Sequence, residues 1–258
     1  MTHTCARRAR RLIVLAIGLL VAASAGAQTA DQIITRADGI FTLDRVWSRS
    51  VMTITRNARE QTPQEMESYT LNDGDTVMSL AVFTSPARVR GTAYLTIGDD
   101  LWVRFASTGR VRKLSSSARS NSAAGSDFSY SDMGEGSSSF TDQYTPTLEG
   151  RTTIDGTECY QISLEPTSRN AAYDGMTAYI TTGDYRYVRI EYFERNVLIK
   201  TMDLSDYRDV GDVSYPYLIT MTSHEQDSVT SIQTLEMEIN SSRVQDTMFS
   251  VQYLDTIR

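Results

Sequence analysis

Residues Tyr187–Tyr207 read YVRIEYFERNVLIKTMDLSDY. Two runs rich in Val, Ile, Tyr and Phe flank the dipeptide Arg195-Asn196, which is the composition of paired strands meeting at a tight turn. The same unit recurs in both directions. Glu65–Leu71 and Thr76–Phe83 are joined by Asn72-Asp73-Gly74-Asp75, and Thr92–Ile97 and Leu101–Ala106 by Gly98-Asp99-Asp100. Arg110–Leu114 follows Ser107-Thr108-Gly109, while Trp47–Arg56, Cys159–Glu165, Thr177–Thr182, Tyr217–Ser223 and Ser231–Ile239 complete the set. Antiparallel strands in succession, without intervening helices, remove their exposed edges best by curling, so the expected fold is mainly β: a strongly curved antiparallel sheet or barrel of about 11 strands.

Two segments interrupt this pattern. Thr29 and Gln32 have capping-box spacing, and Ile33, Ile34, Ala37, Ile40 and Phe41 recur at helical intervals, so residues from about Ala30 to Thr42 read as an amphipathic helix that needs a surface to cover. From Ser115 to Ser139 the chain contains eleven serines and three glycines. Such a stretch reads either as a mobile serine-rich loop or as a functional lid. Phe128 and Tyr130, large and two apart, favour anchorage, and Ser131-Asp132 has the chemistry to cap a short helix.

The 258 residues are 40% hydrophobic and 22% charged, an ordinary globular composition that excludes disorder throughout and a polytopic membrane protein. Arg7, Arg8, Arg10 and Arg11 precede the apolar run Leu12–Ala23, which ends in Ser24-Ala25-Gly26-Ala27. This is the pattern of an export signal cleaved after Ala27, leaving residues 28–258 as one periplasmic domain. Loss of those four arginines takes the formal net charge from -7 to -11. A body so acidic is repelled by nucleic-acid phosphate. Cys5 leaves with the signal, and Cys159 then stands alone on a strand-like stretch, where a small buried filler is the expectation.

The catalytic inventory is poor. His224 is the one histidine after the signal, so no two-histidine metal site can be drawn, and no nucleophile elbow, P-loop or dinucleotide fingerprint occurs. A lipid-modifying hydrolase built on His224, Asp227 and a serine is one alternative; on an acidic turn a solvated histidine is the simpler reading. No catalytic residue, metal or cofactor is expected. Leu101, Val103 and Phe105 alternate with Trp102 and Arg104, giving one wholly apolar strand face, and a curved sheet with such an inner face under a helix and a long loop makes a lidded apolar cavity. The same positions read equally as plain core. Arg88, Arg90, Arg110 and Arg112 form a locally basic stretch, either a solvated hairpin face or a docking edge for an anionic headgroup or acidic partner.

Several blocks resemble the LolA-like family of outer-membrane lipoprotein-sorting proteins. They are Thr84-Ser85-Pro86-Ala87-Arg88-Val89-Arg90-Gly91-Thr92-Ala93, Leu101-Trp102-Val103, Gly109-Arg110-Val111-Arg112-Lys113-Leu114 and Gly125-Ser126-Asp127-Phe128-Ser129-Tyr130-Ser131-Asp132-Met133. Gly156-Thr157-Glu158-Cys159-Tyr160, Arg189-Ile190-Glu191-Tyr192-Phe193 and Leu204-Ser205-Asp206-Tyr207 extend the resemblance over nearly all of residues 28–258. It implies an incomplete antiparallel β-barrel with a helical lid, whose interior accepts lipid or lipoprotein acyl chains, with an ABC transporter or an RND-type exporter in the inner membrane as partner. Serine enrichment around the Ser126–Tyr130 block departs from the bulkier residues usual there. On this reading Trp102, Phe105, Phe128 and Tyr130 are cavity or lid candidates, although strand parity forbids Trp102 and Phe105 both pointing inward. Arg88, Arg90, Arg110 and Arg112 are headgroup or partner candidates, and a non-enzymatic adaptor of an RND-type transporter is the other alternative.

Overall fold

The computed structural model describes residues 28–39, 43–74, 76–134, 143–168 and 171–258. The expected export signal, the last three residues of the expected first helix and the end of the serine-rich stretch lie outside them. The described chain builds one 14-stranded antiparallel sheet. Its first half comprises β1 (Val46–Arg56), β2 (Arg59–Glu60), β3 (Gln64–Asn72), β4 (Val77–Ser85), β5 (Ala93–Ile97), β6 (Asp100–Arg104) and β7 (Val111–Lys113). The second half comprises β8 (Tyr144–Ile154), β9 (Thr157–Pro166), β10 (Gly175–Thr181), β11 (Tyr187–Glu194), β12 (Val197–Val210), β13 (Val213–Ser223) and β14 (Ser228–Glu238). Strands neighbour one another in the order β7-β6-β5-β4-β3-β1-β14-β13-β12-β11-β10-β9-β8, with β2 beside β1. The two halves are therefore sewn together where β1 meets β14, and the sheet stays open between β7 and β8.

Two strands lie outside the segments read from the sequence: β2, only two residues long, and β8. The latter hides in the sequence because Pro146 and Gly150 sit within it. As an edge strand β8 needs one hydrogen-bonded neighbour, and proline is tolerated at an edge. Its alternating exposure from Tyr144 to Ile154 is that of a half-buried strand.

Helix α1 (Ala30–Ala37) carries the full capping box: Gln32 N–H donates to Thr29 Oγ1 at 3.2 Å and Thr29 N–H to Gln32 Oε1 at 3.2 Å. It ends at Asp38, and Ile33, Ile34 and Ala37 are buried among Ile162, Ala178 and Ile190 of the sheet. The face that α1 covers is the inner face. Asp38 accepts a 2.7 Å hydrogen bond from the buried Tyr187 hydroxyl, which pins the end of the helix to β11. On the outer face, Val244, Met248, Phe249 and Leu254 of the C-terminal segment pack over Trp47, Leu71, Ala93 and Leu95. Period-two alternation thus buries both faces of the β1–β6 half: Met52, Ile54, Phe83, Tyr94 and Val103 inward, Trp47 and Leu95 outward.

Between β7 and β8 the chain turns back across the inner face as α2 (Ser116–Arg119) and α3 (Tyr130–Gly134). The start of α3 is set by Ser129 rather than by the expected Ser131. Asp132 N–H donates to Ser129 Oγ at 3.1 Å and Ser129 N–H to Asp132 Oδ2 at 2.6 Å, a reciprocal cap.

Candidate functional site

The segment from Asn121 to Gly134 does not fill the space above the inner face. A partly open cavity of about 230 Å³ remains beneath it. Register decides what lines it. On one side Ser48 and Ser50 of β1, Ser68 and Thr70 of β3, Ser79 of β4 and Thr234 of β14 present hydroxyls. On the other, Tyr192 of β11, Met202 and Leu204 of β12 and Ile219 of β13 present apolar groups. Phe128, Asp132 and Met133 close it from the crossing segment. The cavity runs toward the end of the sheet marked by Val46, Thr70 and Tyr215.

Two carboxylates fasten the crossing segment to the sheet. Asp132 forms an ion pair with Lys200 of β12, the two side chains being 3% and 9% exposed. The ammonium also donates to the Tyr173 hydroxyl and lies 4.6 Å and 4.8 Å from the ring centroids of Tyr173 and Tyr192. The Tyr173 hydroxyl in turn donates to Asp132 Oδ1 at 2.9 Å. Desolvation, and then the Asp132 charge, push the Tyr173 phenol well above its ordinary range, so it serves as a neutral donor. Five residues earlier, Asp127 accepts from the hydroxyls of Ser228 and Thr230 on β14, and its N–H donates to Thr230 Oγ1 at 3.0 Å. The buried Asp132 and Lys200 are costly to leave unpaired, so opening the segment means breaking that pair as well as the half-buried Asp127 contacts.

Phe128 lies between the two aspartates and is 3% exposed, lining the cavity. Tyr130 meets Tyr94 edge-on at 5.7 Å between centroids, in the inner cluster that Phe105 also joins at its margin. Trp102 is placed elsewhere: it packs on the outer face with the C-terminal segment, its ring 5.2 Å from the Lys113 ammonium. Arg88, Arg90, Arg110 and Arg112 are all exposed. Arg88 and Arg90 stand in the β4–β5 turn and Arg110 in the β6–β7 turn, at the end of the strands opposite to Val46 and Thr70. Arg104 Nη1 bridges these turns by donating to Gly91 O at 2.6 Å, and residue 91 takes φ +81°, a left-handed backbone that favours glycine. His224 Nε2 lies 2.8 Å from Thr201 Oγ1, so among the described residues its ring hydrogen-bonds a threonine rather than a carboxylate or a serine. The buried Cys159 thiol is pushed up by desolvation, the opposite of activation.

Lys200, Tyr173 and the serine wall escaped the reading of the sequence. A signal for Lys200 existed, because it shares parity with its apolar neighbours Leu198, Met202 and Leu204 on β12, a charge set into an otherwise inward-facing run. Nothing local points to Tyr173, which lies outside any strand.

A family model described as an uncharacterized protein matches residues 75–256. No curated protein matches. Among solved structures, a DUF1329 family protein from Desulfovibrio piger is 23% identical with a TM-score of 0.81, over 88% of this chain and 100% of that one. A domain from Vibrio parahaemolyticus, assigned to outer membrane lipoprotein sorting, is 23% identical with a TM-score of 0.78, over 88% of this chain and 96% of that one. A LolA superfamily protein from Nitrosomonas europaea is 23% identical with a TM-score of 0.73, over 88% and 100%.

Proposed function

The chain belongs to the family whose model spans residues 75–256 and has the fold of LolA superfamily proteins, and from there we propose that it is a periplasmic carrier. It binds lipid or lipoprotein acyl chains in its cavity, for outer-membrane lipoprotein sorting or lipid trafficking, without catalysing a reaction. The observation that carries this reading is the cavity of about 230 Å³ closed by a segment with buried charged fastenings. That volume lies just under the ~300–1,000 Å³ of small-molecule sites, so the closed form accepts a fragment and a whole diacyl ligand requires the segment to lift. Each buried methylene then contributes about 0.8 kcal/mol, enough to hold a chain without any reactive group. Release follows when an acceptor offers a better apolar surface. Residues 1–27 direct export on this reading. Purification without detergent, followed by native mass spectrometry and lipid extraction, tests it: a co-purifying diacyl species is expected. A clean protein that refuses a fluorescent acylglycerol and a fluorescent fatty acid alike overturns it.

A second reading, an adaptor of an RND-type transporter, is favoured by one observation. The exposed Arg88, Arg90 and Arg110 gather at the end of the sheet away from the cavity's Val46 end. Arg110→Glu with Arg112→Glu then abolishes complex formation while lipid uptake is unchanged.

A further inference from the structure

The wall that the first half of the sheet contributes to the cavity is unusual for an inner face. Core-facing strand positions ordinarily carry aliphatic side chains, because a hydroxyl buried without a partner costs free energy. Here hydroxyls stand beside hydroxyls across the strands. Thr70 faces Ser79 and Ser79 faces Thr96, while Ser48 faces Ser68 and Ser50 faces Thr234. Ser50 and Thr234 are only 4% and 8% exposed, yet their mutual contact is a long 3.5 Å. Thr96 is 7% exposed and its hydroxyl has no partner among the described residues. Ser48, Ser68, Thr70 and Ser79 are half-buried and line the cavity, so their hydroxyls are open to a ligand or to water, and Thr96 beside them is buried without a partner among the described residues.

Charge narrows the ligand further. Asp132 is the one charged side chain lining the cavity among the described residues, and Lys200 is already committed to it, to Tyr173 and to two aromatic rings. A ligand carboxylate inside would face a carboxylate and find no uncommitted cation. Rotatable hydroxyls, by contrast, donate to ester carbonyls or accept from ligand hydroxyls, while Met202 and Leu204 opposite offer apolar contact.

We propose that the cavity selects an uncharged lipid bearing ester or hydroxyl oxygens, of the acylglycerol class, over a bare hydrocarbon chain or a lipid carboxylate. This rests on the carrier reading and adds a polar subsite to it: the oxygens lie along Ser48, Ser68, Thr70 and Ser79, and the hydrocarbon along β12 and β13.

The test uses three pyrene-tailed probes of equal length, an acylglycerol, a plain alkane and a fatty acid, titrated against the full chain and against S48A/S68A/T70V/S79A. The native protein is expected to favour the acylglycerol over both others by roughly tenfold or more, the scale of one or two ordinary hydrogen bonds. The variant loses that preference and keeps its affinity for the alkane, with an unchanged thermal midpoint; Thr70→Ser alone retains the preference. Equal binding of acylglycerol and alkane by the native protein, preference for the fatty acid, or a variant that still prefers the acylglycerol overturns the inference and leaves the carrier reading standing. Binding of no probe at all overturns both.

Discussion

Asp132 on α3 and Lys200 on β12 are 68 residues apart and form an ion pair in which neither side chain is more than 9% exposed. The pair joins the segment that crosses the inner face to the sheet below it. Breaking one partner strands a buried charge, whereas removing both charges loses packing and the hydrogen bonds with Tyr173 but strands neither, so the two substitutions cannot be additive.

Lys200→Met is therefore expected to lower the unfolding free energy by about 3–5 kcal/mol. Asp132→Asn combined with Lys200→Met should cost less than the two single changes summed, with a coupling of ~0.5–3 kcal/mol. Urea unfolding of the full cycle measures this, and strict additivity would show that the pair does not act as a unit.

Asp127→Ala removes the acceptor of the Ser228 and Thr230 hydroxyls. The expected loss is about 1–3 kcal/mol, felt locally. Hydrogen exchange should quicken for the amides of residues 121–134 while those of β12 and β13 keep their protection; uniform quickening would contradict an independent fastening.

Phe128→Ala deletes a ring that is 3% exposed and closes one side of the cavity. Stability should fall by about 3–5 kcal/mol if the space stays empty. A hydrophobic ligand that fills the enlarged cavity should then raise the melting temperature of the variant more than that of the native protein.

High pH should destabilise the fold through its buried phenols. Burial, followed by the Asp132 charge for Tyr173 and the Asp38 charge for Tyr187, raises both well above the ordinary value. Tyr179 is pushed up to about 12 by burial and then by Glu191. A raised phenol keeps its proton longer in the native state, so its contribution is whole below the unfolded value of about 10 and is lost as pH climbs beyond it. Denaturant midpoints should be level to about pH 9 and fall by about pH 11, and tyrosinate absorbance should lag that of the unfolded chain.

Local chemistry made much of the fold legible. The Arg195-Asn196 turn between β11 and β12, and the reciprocal cap of Thr29 and Gln32 on α1, depend on residues a few positions apart. Strand parity likewise stated that Trp102 and Phe105 diverge. Which of them turned to the inner face was beyond the sequence, because Val244–Leu254 had first to cover the outer face and claim Trp102 for it, leaving Phe105 at the margin of the inner cluster. β8 was missed since its strand character comes from pairing with β9 rather than from its own residues.

By itself the sequence determined the period-two alternation, the turns and the helix start, since each is fixed by sterics and hydrogen bonds within a few residues. Only the tertiary structure decided the site. Ser48, Ser68 and Ser79 become neighbours through strand register, and Asp132 reaches Lys200 only once the chain has crossed the open sheet from β7 toward β8. Such contacts arise from closing long loops of chain, and no short window of residues carries their energy.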